Sequence, residues 1–303
     1  MNGYIASNHR LALLGRVHCV VSSVALCVTA CLAFAAPASA QGAVTGEWTI
    51  ARTSAGAVEV SFRGDDSGGE HSHWEDSFDT DPARSGLAGA DLDSDGKHVH
   101  FTLSRDAGSF VCDGWAGHGH AAGTFTFEAS AAYLEGLRAR GIEPIPVHKA
   151  LTAATLDLSL SYVDEIVSAG YAHIPFERLI GFRALGVTRQ SIAALRSALR
   201  ADLTQEQVMS LTALRVTPEY VDDLRTLGVA DVSPRSAIEM KALRIDRPYV
   251  ESLVRAGYPH LSEHDLVQLK SLGVDDGYIR RLADHGFHNV PVSDLVRMKA
   301  LGI

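Results

Sequence analysis

The apolar positions of the C-terminal part of the chain recur with a period of 29 residues. Five copies of this unit follow one another without insertion, at 159–187, 188–216, 217–245, 246–274 and 275–303. Tyr220, Tyr249 and Tyr278 occupy one column, and we interpret them as packing residues. Leu243 belongs to a second column, which we expect to be buried. A less regular copy precedes them at 130–158, as is typical of a terminal repeat.

Within each repeat, apolar residues spaced three and four apart predict two short helices. In 246–274, Asp246 is the N-cap candidate of the first helix, because its carboxylate can accept an otherwise unpaired backbone N–H. Gly257 fits the left-handed position that ends this helix, and the second helix follows Ser262. Such short helices are marginal alone in water, so stacking has to bury their apolar stripes. We therefore predict an all-α solenoid of six helical hairpins.

The preceding segment, 41–129, shows a different pattern in which apolar and polar residues alternate. Val58, Val60 and Phe62 form one such run, and Gly- and Asp-rich segments separate it from similar runs. Alternation with period two is typical of strands that have one buried face. We predict a small antiparallel sheet of five or six strands, and hence an α+β fold with a β-rich module at 41–129 and a solenoid at 130–303.

Three His-x-His pairs in the β-rich module are candidate metal ligands: His71/His73, His98/His100 and His118/His120. Side chains two apart on a strand share one face, so each pair can chelate a metal ion such as zinc. His98 and His100 alternate with Val99 and Phe101, which places them on the solvent face. Nothing in the sequence brings the three pairs together. A periplasmic metal-binding or metal-sensing protein is therefore the alternative interpretation, and the preferred one has no cofactor.

The remaining residues with reactive side chains fit structural roles. Asp91 begins a segment like a calcium loop, but the twelfth position is Thr102 instead of glutamate, so we interpret 93–96 as a hairpin turn. Cys112 lies beside Phe110 in a predicted strand and is expected to be buried. Without a recognisable catalytic motif, the sequence favours a protein that is not an enzyme. A hydrolase without a recognisable motif is the third interpretation.

Two sets of solenoid residues are candidates for partner binding. Cations recur in one column of the second helices, at Arg183, Lys241, Lys270 and Lys299, with Thr212 in the gap. This column forms either a solvated ladder that balances nearby acids or one edge of a ligand-facing surface. In the last repeat, Leu295 and Met298 lie on an apolar stripe that no further repeat covers. Such patches mark interfaces, so we predict docking there on a second copy or another protein.

The first 40 residues predict export. A charge-free apolar run at 19–34 follows two arginines, and Ala38-Ser39-Ala40 then gives the small-residue pattern that signal peptidase cleaves. The run is shorter than the roughly 20 residues that a membrane span needs. We predict a signal peptide at 1–40 and a periplasmic or secreted chain with no membrane span after cleavage. A lipoprotein attached through Cys31 is the alternative.

Charge is distributed unevenly along the chain, whose formal net charge is −9. Residues 42–158 carry 8 Lys or Arg against 18 Asp or Glu, whereas residues 159–303 carry 17 against 18. Nucleic-acid binding needs a basic surface for the phosphate backbone, so nucleic acid is not a predicted partner. Three of the 4 cysteines lie in the signal segment, which leaves Cys112 without an intramolecular disulfide partner.

Two short motifs resemble those of a group of uncharacterised exported bacterial proteins. Arg-Asp-Ala-Gly at Arg105–Gly108 lies in the strand-rich module, and Thr-Pro-Glu-Tyr at Thr217–Tyr220, followed by Leu224 and Gly228, lies in the repeats. The repeats are also similar to extracytoplasmic tails of antirepressor-type membrane metalloproteases, which implies a place in envelope signalling. The chain has no His-Glu-x-x-His motif, so protease activity does not carry over. We expect a non-enzymatic interaction scaffold that binds protein or peptide in the cell envelope.

Overall fold

A computed structural model describes residues 43–52, 58–65, 73–80, 87, 89–229 and 231–303, of which 65 and 73–80 are described by their backbone alone. The predicted signal segment 1–40, with Cys31, and also His71 lie outside these residues. Apart from one short helix, α1 (Gly89–Leu92), the described elements are strands up to Ala129 and helices from Ala131 onward. This order confirms the predicted α+β fold class.

The described strands form one antiparallel sheet of six strands. They are β1 (Val44–Arg52), β2 (Val58–Asp65), β3 (His73–Thr80), β4 (Asp95–Arg105), β5 (Gly108–Gly117) and β6 (His120–Ala129). Their order is β3-β2-β1-β6-β5-β4, so two three-stranded meanders join where β1 pairs with β6. The predicted alternation is confirmed in the described side chains, since the residues of one face are buried and form the core of the module.

The sheet curls around its own aromatic core. Phe62 of β2 stacks on Phe110 of β5 with ring centroids 4.3 Å apart, although β1 and β6 separate these two strands in the sheet. Gly114 and Gly123 face each other across β5 and β6, and a Cβ at either position would collide with the backbone of the opposite strand. Glycine is needed at this close approach, which is typical of sharply bent sheets.

The remaining described helices form the six hairpins that the 29-residue period predicts. The pairs are α2 (Ala131–Ala139) and α3 (Val147–Thr155), α4 (Leu160–Ser168) and α5 (Phe176–Ala184), α6 (Arg189–Leu199) and α7 (Gln205–Ala213), α8 (Pro218–Thr226) and α9 (Pro234–Ala242), α10 (Arg247–Arg255) and α11 (Glu263–Ser271), and α12 (Asp276–Asp284) and α13 (Val292–Ala300). First helices pack on first helices of neighbouring repeats, and from the second repeat onward second helices pack on second helices. The hairpins therefore stack in two layers.

The first repeat is irregular because its second helix packs on the sheet. Helix α3 contacts β1, β3, β5 and β6. Its Ala150, Ala153 and Ala154 are fully buried, and their small side chains allow the helix to approach the strands closely. Sheet and hairpins together form one compact unit, Gln41–Ile303. The β-rich module thus covers the first hairpin of the stack.

The third repeat shows what the glycine column contributes. In the second repeat Gly170 takes a left-handed φ of 100° just after α4, and Gly228 takes 92° after α8. Leu199 stands in this column in the third repeat, and the helix α6 continues to it. The left-handed conformation then moves to Arg200, with φ 50°. Glycine therefore sets the point at which the first helix ends.

Two local predictions need correction. Leu243 is half-buried like Leu185 and Leu214, and Leu272 and Leu301 of the same column are exposed, because this column lies at the C-terminal cap of each second helix. The neighbouring last column, with Ile245, enters the core. The segment 93–96 does not connect two strands. It runs from the end of α1 into the first residues of β4. The Ser94 hydroxyl, which has one proton to donate, lies 2.7 Å from the carbonyl oxygen of Asp91 and 2.9 Å from that of Ala116.

Candidate functional site

The tyrosine column is buried and ties each hairpin together. The Tyr220 hydroxyl donates to the carbonyl oxygen of Ile245, the last residue of the same repeat, at 2.8 Å. Tyr162, Tyr249 and Tyr278 make the same bond within their own repeats, at 2.8 to 2.9 Å. Burial raises the pKa of these phenols, so they remain donors. The packing role predicted for the column is confirmed.

The cation column lies over these tyrosines. Lys270 Nζ is 4.0 Å from the centroid of the Tyr249 ring, and Lys241 Nζ is 4.3 Å from that of Tyr220. Lys299 over Tyr278, at 4.4 Å, and Arg183 over Tyr162, at 5.2 Å, repeat the arrangement. These distances are within the range of cation–π attraction. Each cation thus lies over a tyrosine of its own repeat, an arrangement that neither sequence interpretation of this column included. Arg183 in addition donates to the Leu156 carbonyl oxygen of the preceding repeat at 2.9 Å and pairs with Asp157 at 3.5 Å.

The third repeat lacks both columns, whereas the first repeat keeps the tyrosine and lacks only the cation. In the third repeat, Ser191 replaces the tyrosine and Thr212 replaces the cation, and the buried Thr212 Oγ1 has no hydrogen-bond partner among the described residues. In the first repeat, Ala154 replaces the cation because α3 faces the sheet there. The buried Tyr133 hydroxyl of that repeat also lacks a partner within the described chain. The pairing of columns indicates a structural unit, and a role of the cations in partner binding stays a prediction.

The last hairpin exposes different residues from those predicted. Leu295 is fully buried and Met298 is half-buried, because α13 turns this stripe toward α11. The large apolar side chains exposed here are Phe287, Leu301 and Ile303, the second of them 70% exposed. Val274, which precedes Ile303 by one period, is fully buried. Docking of a partner at this hairpin stays a prediction.

His98 and His100 point outward from β4, as predicted, and share one carboxylate. His98 Nε2 lies 3.2 Å from Asp113 Oδ1, and His100 Nδ1 lies 3.4 Å from Asp113 Oδ2. These contacts, with His98 first, lower the pKa of Asp113. Asp113 was not among the predicted site residues. The signal available in the sequence was the alternation along β5: Asp113 lies between the buried Cys112 and Gly114 and therefore points to the outer face.

The other histidine pairs have separate positions. His118 and Gly119 form the two-residue turn between β5 and β6, with φ of 53° and 84°, and His120 begins β6. His73 begins β3, where only the backbone is described. Within the described part of the chain, no three His, Cys, Asp or Glu side chains are arranged to share one metal ion. The metal-binding interpretation stays a prediction.

Trp115 is an exposed tryptophan on the outer face of β5, with 63% of the residue accessible to solvent. The His98 ring contacts it edge to face, with centroids 5.3 Å apart. Beside the indole lies an open hollow of about 520 Å³, lined mainly by small residues such as Ala51, Gly96 and Ala122. Sequence reasoning did not single out Trp115, although its outward position follows from the alternation along β5.

Two clefts open between the loops of neighbouring hairpins. One, of about 420 Å³, lies between 141–145 and 173–177. The other, of about 490 Å³, lies between 199–201 on one side and 228–229 with 231–234 on the other. They occupy equivalent places two repeats apart. Sequence reasoning missed them because the loops have no shared chemical motif.

Tyrosines of the chain span the corresponding gaps elsewhere in the stack. The Tyr171 hydroxyl donates to the Leu203 carbonyl oxygen of the next repeat at 2.8 Å, and Tyr258 does the same to Val290 at 2.8 Å. Ile142 stands in this column in the first repeat, where the first cleft is found. Ile142 has no hydroxyl to donate across the first cleft, and Arg200 stands in this column at the second cleft.

Comparison with known proteins identifies no relative. No protein-family model matches the chain, and neither a curated protein nor a solved structure is significantly similar to it. Among the described helices, none has the length and apolar character needed to cross a bilayer.

Proposed function

We propose that this protein is a non-enzymatic interaction scaffold that binds a protein or an extended peptide in the cell envelope. The clefts between hairpin loops are the observation that carries this proposal. They lie at equivalent places two repeats apart, so one extended ligand that passes over the gap crossed by Tyr171 can place side chains in both clefts. Their volumes, about 420 and 490 Å³, fall in the range of roughly 300–1,000 Å³ that ligand sites occupy.

Two tyrosines of the chain show which kind of side chain fits between neighbouring hairpin loops. At Tyr171 and Tyr258, an aromatic side chain crosses the gap and its hydroxyl donates to a loop carbonyl of the next repeat. A tyrosine of a partner can use the Ile174 carbonyl in the same way, because Ile142 has no hydroxyl to donate to it. Aromatic anchors in pockets dominate many protein interfaces. We therefore favour a ligand segment that contains aromatic residues.

The non-enzymatic part of the proposal is supported by the state of the reactive groups. Burial raises the pKa of the Cys112 thiol to about 12, so this sulfur is not an activated nucleophile at neutral pH. Asp113 is engaged by His98 and His100 on an exposed sheet face. The hydrolase interpretation and the metal-binding alternative gain no further support from these contacts.

Placement in the envelope rests on the signal sequence predicted at 1–40. We propose a periplasmic or secreted chain, with a role in envelope signalling implied by the resemblance of its repeats. The cationic column and the last hairpin, including contact with a second copy, remain candidate partner surfaces beside the clefts.

The test fills one cleft with the side chain that the stack uses elsewhere. A phage-displayed random peptide library is selected on the exported chain, and enriched peptides are measured against wild type, Ile142→Tyr and the volume-conserving control Ile142→Leu. We expect Ile142→Tyr to weaken binding at least tenfold with thermal stability retained, and Ile142→Leu to bind as wild type. Failure to enrich any peptide, or equal binding by both variants, would contradict the proposal.

A further inference from the structure

The outer face of the sheet presents an aromatic ring beside open space. Trp115 is 63% exposed, and its cross-strand neighbours are His98 on β4 and Ala122 on β6. Beyond Ala122 lies Thr49 of β1. Because these neighbours on the β6 side are small, the indole stands above a hollow of about 520 Å³.

A carboxylate lies next to this ring on the same strand. Asp113 and Trp115 are two residues apart on β5, so their side chains leave the same face, roughly 6.6 Å apart along the strand. The Asp113 side chain is 55% exposed, and its two oxygens contact His98 and His100. The contacts fix the carboxylate toward β4, and its remaining lone pairs stay available to a donor from outside.

We propose that Trp115 and Asp113 form a binding site for Lys or Arg side chains of a basic peptide segment. This surface belongs to the sheet and is independent of the clefts in the solenoid. Trp is the aromatic side chain that attracts cations most strongly. A cation stacked on the indole can donate to the neighbouring carboxylate, so one group serves both contacts.

The charge of the module favours a basic ligand. Residues 41–129 carry 5 Lys or Arg against 15 Asp or Glu. Such a surface attracts cationic segments and repels anionic ones, within the screening length of roughly 8 Å at physiological salt. An aspartate carboxylate such as that of Asp113 carries a negative charge at neutral pH.

The solenoid shows that this chain uses the same interaction internally. Lysine ammonium groups lie 4.0 to 4.4 Å from tyrosine ring centroids in three repeats. At Trp115, no cation of the described residues lies over the indole. The ring contacts His98 at its side, at 76° to the imidazole plane, and remains largely open to solvent.

The test uses the exported chain and two synthetic peptides. One is an acetylated and amidated Lys-Gly repeat, and the other is the same peptide with every lysine Nε-acetylated. Binding is measured by calorimetry with wild type, Trp115→Ala, Trp115→Phe and Asp113→Asn. Asp284→Asn removes one exposed negative charge on α12 and serves as the matched charge control.

We expect the lysine peptide to bind and its acetylated form to bind at least tenfold more weakly. Loss of the cation–π contact in Trp115→Ala should weaken binding by roughly three- to tenfold or more. Trp115→Phe should fall between Trp115→Ala and wild type, and Asp113→Asn should weaken binding, whereas Asp284→Asn should not. Trp115→Phe keeps the test decisive if Trp115→Ala unfolds.

Three results would overturn the proposal. The first is equal affinity of wild type and Trp115→Phe for the lysine peptide. The second is equal binding of the acetylated peptide, which would indicate stacking without charge recognition. The third is preference for an acidic peptide or a neutral glucan over the lysine peptide, which would assign the surface to another class of ligand.

Discussion

Tyr249 in the solenoid and Trp115 in the sheet are aromatic residues with different surroundings. The tyrosine ring is buried, its hydroxyl bonds to Val274, and Lys270 of the same repeat lies over it. The tryptophan faces solvent beside a hollow. The difference teaches that repetition of an aromatic column signals internal structure, whereas an unrepeated aromatic on an outer face is the better candidate for binding.

The largest expected effect tests which columns of the repeat form the core of the solenoid. Met240 is fully buried in a central repeat, whereas Leu243 is half-buried. Met240→Ala should lower the free energy of unfolding by about 2–5 kcal/mol, and Leu243→Ala should lower it by less than half as much. Urea denaturation followed by circular dichroism gives both values. A larger loss for Leu243→Ala would mean that the burial of the Met240 and Leu243 columns is misassigned.

The next effect isolates the tyrosine hydroxyl. Tyr220→Phe leaves the Ile245 carbonyl without its donor and should cost about 1–3 kcal/mol. Tyr133→Phe is the matched control, because this buried hydroxyl has no hydrogen-bond partner among the described residues. Its removal should be neutral or stabilising. Equal losses in the two variants, measured by denaturation, would show that the bond to Ile245 does not contribute.

A smaller effect tests whether the tyrosine column and the cation column stabilise each other. Ser191→Tyr together with Thr212→Lys restores in the third repeat the pair that its neighbours have. The two changes should be more favourable together than the sum of the single changes by about 0.5–1 kcal/mol, the range of an exposed cation–π pair. A double-mutant cycle measures this coupling. A coupling of zero would mean that the joint loss of the two columns is coincidental.

The smallest expected effect concerns the sheet face. Asp113 has a lowered pKa in the folded state, so its stabilising contribution is present above the unfolded pKa of about 3.9 and is lost as pH falls through the folded value. The stability difference between wild type and Asp113→Asn should therefore be present at pH 7 and disappear in strong acid. Unfolding measured across this range checks it, and a difference that grows below pH 4 would contradict the assigned contacts.

The sequence predicted the periodic parts of the molecule well, for a physical reason. Interior hairpins have equivalent neighbours. The burial of a residue such as Ile245 can therefore be inferred from the apolar residues at the same position of the other repeats. The pairing of Lys241 with Tyr220 was also accessible, since Ser191 and Thr212 break both columns in one repeat. The sequence could not predict which way the Lys241 side chain points, because apolar positions flank it on both sides.

The candidate sites were harder to predict because they depend on contacts that do not repeat. Trp115 lies at an outward position of β5, but its exposure depends on the small side chains that neighbouring strands place beside it. The proximity of Asp113 to His98 and His100 depends on the register between β4 and β5. The cleft at Ile142 is visible only by comparison with Tyr171, which crosses the equivalent gap.

The cations of the repeats lie over tyrosines of the same repeats, whereas the tryptophan of the sheet is the proposed binding residue. One titration series tests this division: the Lys-Gly peptide is titrated into Trp115→Ala and into a variant with Lys241→Met, Lys270→Met and Lys299→Met, and the unfolding free energy of each is recorded. We predict that Trp115→Ala loses affinity and keeps its stability. The triple variant should lose about 1–3 kcal/mol of stability and keep its affinity. Loss of binding without loss of stability in the triple variant would contradict the account.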